Sequence, residues 1–335
     1  MVSTVKPAAT RKDVARLAGV STATVSYYIN GSGYVSKEKR QRIAKAIEEL
    51  DYQPNLIAKS LKVKDTRQIV FLCSEIKNPF HAHVAYQAAT EAYHHDYTIL
   101  FCNVIDDETY ISRICSYQVS GVFIATNRLP PEAIRRITSR HIPVVMLDER
   151  MSPDIPEEVS RIILDYSQAM EETVDLLLAR GKTELVYLSS NPVEDLTIND
   201  GKTEAVIRAA KSRFACASLA VERGMTSAMD AYHLVMKKYR DRVYRRSGFI
   251  CTNDDTALGI LRAMNDLGLS VPRDVAVVGV GNTYLSEMSA PRLSTLDVQI
   301  DLLSQRAIQM LVERCEGREV PDLWIRPTLV QRETT

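Results

Sequence analysis

The sequence predicts an α/β protein, built as a short all-α head followed by a larger α/β body of two lobes. Three observations predict it. Of the 42 basic and 42 acidic residues, 13 and 6 fall within residues 1–67, a net of +7, which leaves the remainder at −7. Three helical periodicities crowd residues 11–52, and from residue 69 onward apolar runs of strand length alternate with helical segments. At 335 residues, with 45% hydrophobic and 25% charged side chains, the chain has room for two or three domains and a sizeable core. That composition excludes collagen-like, coiled-coil and disordered chains. A basic head on an acidic body points to a polyanionic partner for the head, the bland alternative being a solvated charged surface.

The first helix is expected over residues 12–18, where Val14, Ala15, Leu17 and Ala18 form an apolar face and Gly19 offers a left-handed stop. Ser21 is placed to cap a second helix reaching Ile29, with Val25 and Ile29 four apart on one face. Asn30-Gly31 closes it and Ser32-Gly33 extends the turn. Ser36 can cap a third helix, in which Ile43, Ile47 and Leu50 recur at helical spacing before Pro54 ends it. Two short helices joined by a tight glycine turn form a helix-turn-helix, whose second helix sets its first residues against base edges in a major groove. Ser21, Thr24 and Ser26 are short hydroxyl donors suited to phosphate oxygens, and Asn30 at the far end joins the expected contacts. Thr22, Ala23 and Tyr27 are left to face the bases, where methyl groups touch thymine and hydroxyls bond base edges. The alternative for Tyr27 is packing on the third helix, although Val25 and Ile29 already mark the inner face.

Residues 55–62, from Asn55 to Lys62, form an eight-residue helical candidate. Such a helix is marginal alone in water, and this one is too apolar for a linker. Folding against a partner resolves the conflict. Leu61, followed by Lys62, has the form of a wedge that kinks DNA through the minor groove. Its alternative is packing against the body.

In the body, strands are expected at residues 69–74, 97–104, 121–126, 144–147, 185–189, 248–251 and 275–279, with helices at 83–95, 131–140, 168–180 and 256–267 among them. Near-continuous apolar strands alternating with helices indicate parallel sheets covered on both faces, and the length exceeds what one such sheet needs. Ligands of such sheets sit beyond the carboxyl ends of the strands. Those ends read Ser74-Glu75, Thr126-Asn127-Arg128, Asp148-Glu149-Arg150, Ser189-Ser190-Asn191, Thr252-Asn253-Asp254 and Gly281-Asn282. As a set they suit a small polar molecule. Singly, each has a plain alternative in loop solvation or capping, as with Asp254 ahead of a helix at Thr256.

Residues 11–62 resemble the head and hinge of the lactose-repressor (LacI/GalR) family of transcriptional regulators. The resemblance rests on Asp13-Val14-Ala15, Ala18-Gly19-Val20-Ser21, Thr24-Val25-Ser26, Asn30-Gly31, Val35-Ser36, Ile43, Ala46-Ile47, Leu50, Tyr52, Pro54-Asn55, Ala58 and Leu61. It continues more loosely through Asn78-Pro79-Phe80, Pro143-Val144-Val145, Asp148 to Arg150, Asp165, Gly181, Thr252-Asn253-Asp254, Val271-Pro272 and Leu293-Ser294-Thr295-Leu296. It implies a homodimer on a near-palindromic double-stranded DNA operator, with paired hinge helices in the central minor groove. Leu61 is then the lever, supported by Asn55 and Ala58. It also implies a body like a periplasmic sugar-binding protein, with an effector cleft between lobes.

The division that follows is a head over 1–54, a hinge and linker over 55–67, and a body over 68–335. Lobe one is expected at 68–163 and 294–323, lobe two at 164–293 and 324–335. Effector contacts are expected at Glu75, Phe80, Arg128, Asp148, Arg150 and Asn253. The chain departs from the family pattern at two places. Ile198 stands where sugar- and purine-binding members present an arginine, and Gly281 stands where they present an aspartate. A guanidinium clamp and a diol-binding carboxylate are both missing. Three readings stay open: a different small-molecule effector, a protein corepressor, or no ligand.

Other classes find little support. Gly279-Val280-Gly281 begins a dinucleotide fingerprint, but Tyr284 falls where its third glycine belongs. His81 and His83 do not share a helix face, and no cofactor or metal is expected. Neither a Walker A loop nor a G-x-S-x-G elbow occurs, so an enzyme has no constellation to support it. Cys73, Cys102, Cys115, Cys216, Cys251 and Cys315 form no CxxC pair and read as core thiols of a reducing compartment. No apolar run reaches about 18 residues, so no membrane span is expected. The first residues lack an apolar signal core, and a cytoplasmic location is expected.

Overall fold

The computed structural model describes residues 9–53, 66–104, 108–149, 154–193, 200–213, 217–240 and 246–335. They fall into two units, Met1–Thr66 and Arg67–Thr335.

In the first unit, α1 (Arg11–Ala18), α2 (Thr22–Asn30) and α3 (Lys37–Glu49) lie where the periodicity predicts. Thr10 starts α1 through a reciprocal cap: its hydroxyl accepts from the Asp13 amide at 3.3 Å, and its own amide donates to the Asp13 carboxylate at 3.0 Å. Gly19 and Gly31 end α1 and α2 at φ of +63° and +62°, a conformation that costs glycine nothing. Ser36 holds the N-cap position of α3 without making a side-chain cap bond. Val14, Val25 and Ile43 are fully buried at the centre, with Ala15, Ala18, Val35, Ala46 and Tyr52 around them.

The second unit opens with β1 (Gln68–Cys73), α4 (Pro79–His94), β2 (Thr98–Asn103), α5 (Glu108–Ser116), β3 (Gly121–Ala125), α6 (Pro131–Thr138), β4 (Val144–Asp148) and β5 (Ser160–Leu164). The chain then crosses to the other lobe. There it forms α7 (Ser167–Ala179), β6 (Glu184–Leu188), α8 (Gly201–Lys211), β7 (Ser218–Glu222) and α9 (Ala228–Leu234). β8 (Ser247–Cys251), α10 (Asp254–Asp266), β9 (Val275–Val280), α11 (Tyr284–Met288) and β10 (Ser294–Asp297) complete that passage. α12 (Ile300–Cys315) and β11 (Leu323–Ile325) return to the first lobe, and β12 (Thr328–Val330) ends in the second.

The first sheet has the order β11-β5-β4-β3-β1-β2 and the second β12-β10-β9-β8-β6-β7. All pairings are parallel except β12 against β10. β1 is buried on both faces because helices cover both. Ile69, Phe71 and Cys73 enter one apolar cluster, Val70 and Leu72 the other. The first of these clusters runs through both lobes by way of Leu164, Tyr166, Leu296, Val298 and Ile300 at the crossings.

This topology corrects the expected lobe limits. Residues 294–297 pair with β9 and β12, so they belong to the second lobe, and the return to the first comes with α12. β11 pairs with β5, so residues 324 and 325 belong to the first lobe. No helix among the described residues is long and apolar enough to cross a membrane.

Candidate functional site

Two places in the molecule present chemistry, one in each unit. On the head, α2 buries Val25 and leaves Thr22, Ala23, Tyr27 and Asn30 exposed. Tyr27 is 48% exposed. Its ring lies over Gly33, where an added Cβ would stand only 2.9 Å from the ring carbon Cγ. The tyrosine is therefore positioned by the turn after α2, while much of its surface stays free. Ser21 caps α2 by accepting from the Thr24 amide at 3.2 Å, and the two hydroxyls lie 2.8 Å apart. Ser26 accepts from the Asn30 amide group at 3.2 Å. A shallow concavity beside this face is lined by Arg16, Gly19, Ser21, Thr24 and Lys39. Arg16 reaches it while paired with Asp13 at 2.7 Å. The hinge residues Asn55, Ala58, Leu61 and Lys62 lie outside the described residues.

In the body a cavity of about 690 Å³ opens where the carboxyl ends of both sheets face each other. Glu75 after β1, Phe80 at the start of α4, Arg128 after β3 and Asn253 after β8 all line it. Glu75 pairs with Lys77 at 2.7 Å. Asn253 caps α10 by accepting from the Thr256 amide at 2.8 Å. Asp254 is thus not the cap. Its carboxylate is buried in the second lobe, accepting from the Thr283 amide at 2.7 Å, the Thr283 hydroxyl at 2.8 Å and the Thr295 hydroxyl at 2.5 Å.

Asp148 is a correction. It does not line the cavity but turns to the opposite side of the sheet, where Arg161 lies 3.6 Å away and also binds Asp322. Strand pleating explains it. Val144 and Met146 share the outer cluster, so Asp148 points with them, while Glu149 follows Val145 and Leu147 toward the cavity. Arg150 and Ile198 lie outside the described residues. Gly281 does line the cavity, with φ +129°, so the missing carboxylate coincides with a backbone turn that an aspartate rarely adopts.

Glu149, Tyr166, Lys202 and His81 also line the cavity, although none of them is among the expected contacts. The Lys202 ammonium lies 3.1 and 3.2 Å from the two Glu149 oxygens. Asn127 donates to Glu149 at 2.9 Å and the Tyr166 hydroxyl at 3.3 Å. Burial alone pulls the Lys202 ammonium down, but the Glu149 and Asp200 carboxylates outweigh it and hold the group above its ordinary value. Burial, with Glu149 beside it, raises the Tyr166 phenol well above its usual range. The His81 imidazole bonds the Glu75 carbonyl at 3.0 Å, and burial lowers its pKa despite that bond.

Comparison with known proteins fits both places. Residues 10–55 match the bacterial regulatory proteins of the lacI family, and residues 174–335 match a periplasmic binding protein-like domain. The HTH-type transcriptional repressor PurR of Vibrio vulnificus (strain CMCP6) is 30% identical over 336 residues, spanning 97% of this chain and 98% of that protein. The HTH-type transcriptional regulator RegA of Clostridium saccharobutylicum is 27% identical, spanning 97% and 98%. Among solved structures, the lac repressor dimer bound to operator and the anti-inducer ONPF has a TM-score of 0.83 at 25% identity, covering 98% of this chain and 99% of that one. With such likeness running end to end, through the helix-turn-helix head and the two-lobed body alike, the chain belongs to the lacI family as a DNA-binding transcriptional repressor.

Proposed function

We propose that the chain binds a near-palindromic operator as a homodimer and that its body takes a small polar effector between the lobes. Thr22, Ala23 and Tyr27 of each protomer face the bases of one half-site. Ser21, Thr24, Ser26 and Asn30 flank them at the phosphates. The hinge from Asn55 to Lys62, with Ala58 within it, folds in the central minor groove, where Leu61 wedges a base step. Effector binding changes the set of the lobes and with it the spacing of the two hinges, which decides whether both heads fit the duplex.

The observation that carries the effector reading is the 690 Å³ cavity, walled by polar strand ends of both sheets. Glu75, Phe80, Arg128 and Asn253 are its contacts, with Arg150 proposed beside them. The dimer reading is supported by exposed aromatics on adjacent elements of the first lobe, Tyr86 and Tyr93 on α4 and Phe101 on edge strand β2. A second reading, control by a protein corepressor or without any ligand, is favoured by Gly281, which offers the cavity no side chain where relatives carry a carboxylate.

A gel shift on the chain's own promoter region, with full-length protein and residues 68–335, tests the first part. Binding by the full-length protein alone is expected, and binding by both would sink it. Leu61→Ala should weaken binding and reduce bending in a circular-permutation assay. A thermal-shift screen over sugars, sugar phosphates, nucleobases and amino acids tests the effector, since a ligand of the native state raises the melting temperature.

A further inference from the structure

Glu149 joins the two lobes. It sits at the end of a first-lobe strand, yet most of its partners come from the other side of the cleft. Its carboxylate receives the Lys202 ammonium from α8, the Tyr166 hydroxyl from just before α7, and Asn127 from its own lobe. Its carbonyl accepts the Gly201 amide at the start of α8. The approach there is so close that a Cβ on Gly201 would meet the Glu149 carbonyl oxygen at 2.7 Å, which requires glycine. The side chains of Lys202 and Glu149 are only 10% and 14% exposed. An ammonium, a phenol and an amide group converging at the positive end of a helix make an anion-binding pocket. Here the anion is the chain's own.

We propose that the Glu149 carboxylate is a tethered ligand, filling from the first lobe an anion pocket built chiefly by the second and so holding the cleft closed with no small molecule bound. The inference goes beyond the effector reading, because it holds whether or not an effector occupies the rest of the cavity. It also makes Lys202 the point of release. A free molecule that opens the body by competing at this pocket has to bring a carboxylate or phosphate of its own. Removing one member of a buried pair leaves the other uncompensated, so the pocket stripped of Glu149 retains a demand for an anion.

Hydrogen exchange on the full-length protein tests this by chemical rescue. In Glu149→Ala, amides of residues 126–131 and 200–206 should exchange at least about tenfold faster, while those of β1 and β9 keep their protection. Sodium propionate, stepped through the millimolar range against sodium chloride of equal ionic strength, should restore the protection at both cleft segments. Unchanged exchange at the cleft overturns the proposal, and so does faster exchange that propionate leaves as it is. Should Glu149→Ala lose protection in β1 and β9 as well, Glu149→Gln carries the test. It keeps the shape and removes the charge, and cleft amides that then exchange as in the parent protein overturn the proposal.

Discussion

The head and the body meet the same packing problem at different scales. The head closes on eight buried side chains, three of them alanine. The body's largest cluster runs from Ile69 to Ile325 and draws on both lobes. A core as small as the head's leaves little stability in reserve. Accordingly the head keeps its charges outside, with Arg16 82% exposed even while paired. The body has apolar burial to spare and sets Glu149, Asp200 and Lys202 inside its cleft, where desolvating them is costly. The exposed face of α2 thus stands on a thin scaffold, whereas the polar cavity is walled in by a thick one.

The widest separation between the two should come from core truncation. Ile43 is fully buried in the head and Ile124 in the body. Either change to alanine costs about 2–5 kcal/mol. In the head that amounts to most of what a small domain has, so Ile43→Ala is expected to abolish operator binding. By calorimetry, the body's transition should stay where it was. Ile124→Ala should lower the body's transition and leave a folded head. If Ile43→Ala moves both transitions together, the head is not the independent unit the contrast requires.

Smaller effects belong to the open face. Tyr27→Ala is expected to alter half-site preference, with about 1–3 kcal/mol lost at the base it reads. A binding-site selection that returns the parent motif would remove Tyr27 from the reading set. Gly33→Ala pushes a methyl against the Tyr27 ring and should shift the same preference by less. Binding should also fall steeply with salt, because the net +7 of residues 1–67 neutralises phosphates. A flat salt titration would contradict the electrostatic part of the contrast.

The two regions also differ in how much their sequence revealed. In the head, Gly19, Ser21 and Gly31 punctuate short periodic runs, and α1 and α2 lie within about a residue of expectation, whereas α3 ends at Glu49, ahead of the expected stop at Pro54. In the body the long buried strands were legible, since β1, β3, β8 and β9 are continuous apolar runs. The edge strand β7, half-exposed along its length, and the three-residue β11 and β12 carry no such signal. Pairing with β9 and β12 inside the second lobe decides where β10 goes, and no local pattern encodes that. At the cleft, the segment 148–150 was recognised but its parity was not. Leu147 already faced inward, and counting two onward from it reaches Glu149 rather than Asp148. Lys202 was hidden differently. Only the packing of α8 against the end of β4 brings its ammonium to Glu149, and no local pattern around Ile198 signals that.

The finest test uses one motif found in both regions. Thr10 with Asp13 in the head, and Ser227 with Asp230 in the body, each form a reciprocal cap at a helix start. Thr10→Ala and Ser227→Ala should each cost about 1 kcal/mol. Amide exchange should register that loss across the whole head, but only around α9 in the body. The carboxylates add a pH signature of known sign. Hydrogen bonds from Thr10 hold the Asp13 carboxyl below its ordinary value of 3.8. Burial pushes Asp230 up, but four hydrogen bonds from Thr226 and Ser227 overcome it and hold that group low as well. A carboxyl depressed in the folded state contributes stability that is complete above its unfolded pKa and is lost as pH falls through the folded one. Both caps should therefore be intact at neutral pH and loosen on the acid side of the ordinary carboxylate range. In Asp13→Asn the first-turn amides of α1 should lose that acid dependence while those of α9 retain it. Identical acid profiles for α1 in the variant and the parent would mean that Asp13 contributes nothing to holding the head's first helix.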